Sequence, residues 1–89
     1  MVWKIKFEKE GEKDFEDIDA TVQIQIARRL LWLETNFESV KPRALKANWS
    51  GYFKIRVGQW RIMYTFRDAD QLIRIWHIDN RDKIYKRKS

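Results

Sequence analysis

The chain has 89 residues, a net charge of +6, no cysteine and one proline, which allows one modest core and not two. Without cysteine there is no disulfide framework and no thiolate metal site, a pattern that suits a reducing compartment. No run approaches the roughly 20 apolar residues that span a bilayer, and the first residues, MVWKIKFEKEGEK, alternate and carry charge where a secretory signal would be apolar, so a cytoplasmic protein with no membrane partner is expected.

In chain order, Val2 to Phe7 alternates as V-W-K-I-K-F and reads as a strand. GEKDFEDID, Gly11 to Asp19, predicts a short acidic helix carrying Phe15 and Ile18. Val22 continues its spacing, so the break near Ala20 stays open. Thr21 to Asn36 predicts the main helix, with Val22, Ile26, Leu30, Leu33 and Phe37 in a stripe at three- and four-residue steps. V-Q-I-Q-I alternates like a strand, but the sixteen-residue length and the R-R-L-L-W-L continuation favour helix. Residues 38–50 read as a loop holding Pro42, Lys41, Arg43 and Lys46. Strands at Tyr52–Val57 and Trp60–Phe66 follow, then the turn RDAD, a last strand at Gln71–Ile78 and the basic tail DNRDKIYKRKS. The fold class is α+β, one domain over residues 1–89. Two N-terminal helices cover one face of a mostly antiparallel four-stranded sheet, in the order β-α-α-β-β-β, and the other face is left open.

The stretch FKIRVGQWRIMY, Phe53 to Tyr64, sets the register. Gly58-Gln59 is a two-residue loop with glycine first, as a type II′ turn prefers. Val57 then faces Trp60, Arg56 faces Arg61, Ile55 faces Ile62 and Lys54 faces Met63. Phe53, Ile55, Val57, Trp60, Ile62, Tyr64 and Phe66 share the core side, and Lys54, Arg56, Arg61, Met63 and Thr65 share the other. Two arginines thus stand directly opposite each other, an arrangement that weakens a sheet, and neither strand has an acidic residue to offset it. An anion between the guanidinium groups would remove the repulsion, and a phosphate diester fits two forks and one ammonium.

Charge is uneven along the chain. Residues 1–50 hold nine Lys/Arg and nine Asp/Glu; residues 51–89 hold ten and four. The whole excess lies in the second half, a one-sided field that attracts nucleic acid or an acidic partner. The single histidine, His77, shares parity with Ile73 and Ile75, which points it at the core side in a structural role. Trp76 falls on the open face, where it could stack on a base or pack.

YFKIRVGQWRIMYTF, then an apolar strand, then IDNRDKIYKR, with PRALKA upstream, resembles the RelE/ParE superfamily of bacterial toxins. The resemblance implies a small toxin neutralised by a co-expressed, RelB-like antitoxin. In its RelE branch it implies a ribonuclease that cuts messenger RNA in the ribosomal A site and needs no metal or other cofactor. Operator DNA would be met only through the antitoxin complex. The family's basic positions match Lys54, Arg56, Arg61 and Arg81, its terminal tyrosine matches Tyr85, and the basic residue of the preceding loop matches Lys46. Arg56 stands where lysine is common, which shifts any base role toward Lys54, and Asn80 stands where a histidine is frequent.

On that resemblance, Lys54 would accept the proton of the 2′-hydroxyl, Tyr85 would orient that hydroxyl or stack on a base, Arg56 and Arg61 would hold the phosphate, and Arg81 would stabilise the transition state. Lys46, Trp76, Lys83, Lys86, Arg87 and Lys88 are candidates for contact with RNA. The alternatives are the ParE branch, which inhibits DNA gyrase, and a non-catalytic nucleic-acid-binding or repressor component.

Overall fold

The break between the two helices is made by Asp19. Its carboxylate accepts a hydrogen bond from the Val22 N–H at 2.9 Å, capping one of the donors that a helix start leaves unpaired. The helices are therefore α1, Lys9–Glu16, and α2, Ala20–Asn36. These bounds come from a computed structural model that describes residues 2–87. Ile26, Leu30, Leu33 and Phe37 of the expected stripe are buried, so V-Q-I-Q-I is helical.

The strands are β1 (Lys4–Phe7), β2 (Arg43–Ala44), β3 (Phe53–Val57), β4 (Trp60–Arg67) and β5 (Leu72–Asn80). They form one mixed sheet of five strands in the order β1-β5-β4-β3-β2. β1 runs parallel to β5, and the other three pairings are antiparallel. The expected four strands thus gain β2, whose two residues lie inside the segment read as loop. Two residues carry no periodicity, and only pairing with Phe53 and Lys54 makes them a strand.

The hairpin register is the expected one: Val57–Trp60, Arg56–Arg61, Ile55–Ile62 and Lys54–Met63 are partners. Gly58 has φ of 58°, while Gln59 stays out of the left-handed region, as a II′ turn requires. All seven residues assigned to the core side pack in one cluster with Ile26, Leu30 and Leu33 of α2.

Two expectations fail on the opposite face. β5 pairs Met63 with His77 but Tyr64 with Ile75, so Trp76 is an extra residue, a bulge. The bulge shifts parity by one. Ile78, Ile75 and Ile73 all reach the core, while His77 lies beside Met63 on the other face. That face is also partly closed. A short helix, α3 (Arg81–Ile84), and the segment around Trp49 fold over it. Trp49, Met63 and Ile84 form a second buried cluster, flanked by Leu45 and Tyr52. The tail does this because Ile84 is its one apolar residue before Tyr85, and it has a hole over Met63 to fill.

Candidate nucleic-acid interface

Asn80 starts the construction. Its side-chain oxygen accepts from the Lys83 N–H at 3.0 Å, capping α3. Asparagine is among the best residues for that position, so the departure from histidine has a structural use. The Arg81 N–H donates to the Gln59 carbonyl at 2.8 Å, pinning the start of α3 to the hairpin turn. Ile84 is then fully buried, and the next residue, Tyr85, emerges over β3.

There Tyr85 meets Lys54. The Lys54 ammonium donates to the Tyr85 hydroxyl at 3.3 Å and lies 5.8 Å from the ring centroid, within cation–π range. These residues are 31 apart in sequence. Tyr85 is 45 % exposed, so the pair is open to a ligand. Arg81 is exposed beside the turn, and among the described residues its only ion pair is a long 3.8 Å contact to Asp82. Arg56 is exposed, and among the described residues no carboxylate pairs with it.

Arg61 takes a different posture from the one expected. It is only 8 % exposed, and its Nη1 donates to the carbonyls of Gly58 and Trp60, both at 3.0 Å. The repulsion from Arg56 is thereby met with backbone dipoles and needs no anion. Nη1 makes both bonds, and among the described residues the Nε and Nη2 edge of the fork has no hydrogen-bond partner.

Two residues expected to contact RNA are engaged elsewhere. The Trp76 indole N–H donates to Thr65 Oγ1 at 2.8 Å, and its ring packs edge-on against Tyr52, so it is a packing residue. Arg87 pairs with Asp14 at 3.0 Å and Asp79 at 3.3 Å, and a further Nη2 contact reaches His77 Nδ1 at 3.1 Å. It ties the tail to α1. Asp14 completes that tie by accepting from the Ile78 N–H at 2.9 Å. Sequence reading passed over Asp14 because one carboxylate in an acidic helix carries no signal of its partner. Lys46, Lys83 and Lys86 are exposed. Lys88 lies outside the described residues.

His77 is buried between Trp49, 5.4 Å away edge-on, and Arg87. Burial first, and then the Arg87 charge, hold its imidazole below the ordinary value of 6.5, against a smaller pull from Glu10 and Asp14. Among the described residues, no group of three or more His, Cys, Asp or Glu is placed to hold a metal ion, and no helix is long and apolar enough to cross a membrane.

Residues 5–85 match the family described as ParE toxin of type II toxin-antitoxin system, parDE. Curated proteins yield no match. Among solved structures, a chain of the toxin-antitoxin complex RelBE2 from Mycobacterium tuberculosis superposes with a TM-score of 0.79 at 18 % identity, covering 91 % of this chain and all of that one. A mutant of the E. coli toxin RelE in the free state gives 0.76 at 15 % identity over 96 % of this chain and 90 % of its own. The archaeal RelE–RelB complex from Pyrococcus horikoshii gives 0.72 at 20 % identity over 91 % and 97 %. At these identities the superpositions establish a common fold. The sequence match spans nearly the whole chain, and this protein therefore belongs to the ParE toxin family, as a RelE/ParE-type toxin of a type II toxin-antitoxin system.

Proposed function

We propose that this toxin is a metal-independent endoribonuclease that cuts messenger RNA in the ribosomal A site and so stops translation in the cytoplasm. The observation that carries this reading is the contact between Lys54 and Tyr85 on an accessible surface, with Arg81 held beside it by the hairpin turn.

On this reading Lys54, acting in its neutral amine form, takes the proton from the 2′-hydroxyl. The freed oxygen attacks the adjacent phosphorus, and the bond to the 5′-oxygen breaks, leaving a 2′,3′-cyclic phosphate and a 5′-oxygen that takes a proton from water to become a hydroxyl. Tyr85 orients the attacking hydroxyl. Arg56 and the free edge of Arg61 hold the non-bridging oxygens, where charge accumulates. Arg81 steadies the departing oxygen, and a guanidinium does this as a fixed charge because it keeps its proton. Such a site is modest on free RNA. The ribosome would supply the alignment that positioning contributes to catalysis, with Lys46, Lys83 and Lys86 as its docking cations.

An antitoxin is the expected partner. Ile24 and Leu31 on the outer side of α2 are 54 % and 68 % exposed, apolar surface that a helix of a partner chain would cover. The structural neighbours include RelE bound to RelB.

A second reading is inhibition of DNA gyrase. It is favoured by the name of the matched family and by the engagement of Arg61 with backbone carbonyls. Primer extension on ribosome-bound message separates the two. Cuts in the A site by wild type, lost with Arg81→Ala, support the ribonuclease. An intact message together with blocked supercoiling by purified gyrase would replace it.

A further inference from the structure

A second cationic feature opens on the far side of β3, between that strand and α2. It is a cleft of about 400 Å³ whose walls carry Arg29, Lys41, Arg43, Lys54 and Arg56 and no carboxylate. None of these five pairs with an acidic residue among the described residues. The pairing of β2 with β3 puts Arg43 directly opposite Lys54, and like charges so placed cost stability. Unlike Arg61, neither of these two groups bonds a backbone carbonyl among the described residues. The Arg29 guanidinium lies 4.7 Å from the Trp32 ring centroid, which limits its freedom to swing away.

Tyr64 is a further wall of the cleft. It is fully buried, and its hydroxyl has no hydrogen-bond partner. A buried polar group left unpaired is costly. Burial pushes this phenol up to about 12, so it keeps its proton and offers a donor. The cleft thus combines five cations that have no acidic partner among the described residues with one unpaired donor, and its lining offers no acceptor side chain other than that same hydroxyl.

We infer that this cleft is a phosphate-backbone subsite, which receives single-stranded RNA running past the Lys54–Tyr85 pair. This rests on the ribonuclease reading for its choice of strand. Lys54 belongs to both sites, since it meets Tyr85 on one side and lines the cleft on the other. A ligand engaging the pair and the cleft together carries negative charge at intervals along its length, as a ribose–phosphate chain does. The walls offer forks for phosphate but no exposed ring on which a base could stack. The subsite therefore adds affinity without sequence preference.

The test uses the full chain and a labelled single-stranded RNA with 2′-O-methyl groups, which 2′-hydroxyl attack cannot cut. Its binding is followed by anisotropy across a salt series. The triple variant Arg29→Gln, Lys41→Gln, Arg43→Gln changes exposed residues only. It is expected to bind about 10- to 100-fold more weakly at low salt, with a salt slope smaller by roughly 0.7 per lost phosphate contact. Arg67→Gln, whose cation is already paired with Asp70 at 2.9 Å, is the control and should keep the wild-type slope. Tyr64→Phe should weaken binding a few-fold while the melting temperature holds or rises. An unchanged affinity and slope in the triple variant would overturn the subsite. So would a polyglutamate peptide that needs these three residues while RNA does not, since the cleft would then serve an acidic protein segment. Because the probe is uncleavable, the two readings fail separately. Cleft-dependent binding by a chain that never cuts RNA keeps the subsite and ends the ribonuclease reading. Cleavage by a chain whose triple variant binds like wild type does the reverse.

Discussion

Tyr85 and Lys54 carry the chemistry proposed for this toxin, and their contact separates role from packing. Tyr85 is exposed, so Tyr85→Phe removes an oxygen without opening a cavity. Cleavage on ribosomes is expected to fall by about 100-fold, a typical share for a positioned proton-transfer group, with the melting temperature unchanged. Growth arrest on expression should be relieved in step. Both residues were legible from their motif. The posture of Arg61 was not. Alternation along a strand fixes which side a residue faces, and nothing in it says that a guanidinium will fold back onto the two carbonyls beside its own turn.

The elements meet through a few contacts that can be broken singly. Gly11 is buried in α1, and a Cβ there would run into the Ile75 carbonyl oxygen of β5. Alanine gains up to about 1 kcal/mol of helix propensity over glycine. The collision is with backbone, which cannot rotate away, so Gly11→Ala is expected to destabilise by about 1–3 kcal/mol, measurable by urea unfolding. α3 depends on Ile84. Ile84→Ala leaves a hole beside Met63 and Trp49 and should cost about 2–5 kcal/mol. Activity should fall as well, because Tyr85 loses its anchor. The contrast with Tyr85→Phe, in which only activity falls, is readable in one set of melting curves. α3 escaped sequence reading for a physical reason. Four residues are too few to show a period, and the helix exists because Asn80 caps it and Ile84 fills a space lined by Leu45, Trp49, Tyr52 and Met63.

Across the molecule, His77 and Arg87 join the tail, β5 and α1. The folded state holds the His77 proton more weakly than the unfolded chain does. Stability from this source is full above about pH 6.5, the unfolded value, and declines as pH falls below it toward the lower folded value. Wild type should therefore lose more melting temperature between pH 7.5 and pH 5 than His77→Gln does. Equal losses would remove His77 from the account.

The hairpin, its register, the core side of β3 and β4, the amphipathic face of α2 and the concentration of positive charge in the second half can all be read along the chain. Each is a local matter, set by side-chain period, turn chemistry or simple counting. The remaining features arise when distant segments meet. The bulge at Trp76 moves His77 off the core side because β5 must serve two packed layers at once. Asp14 finds Arg87, Tyr85 finds Lys54, and five cations line one cleft, because chain segments far apart in sequence compete for the same space, and burial, not period, settles which of them fills it.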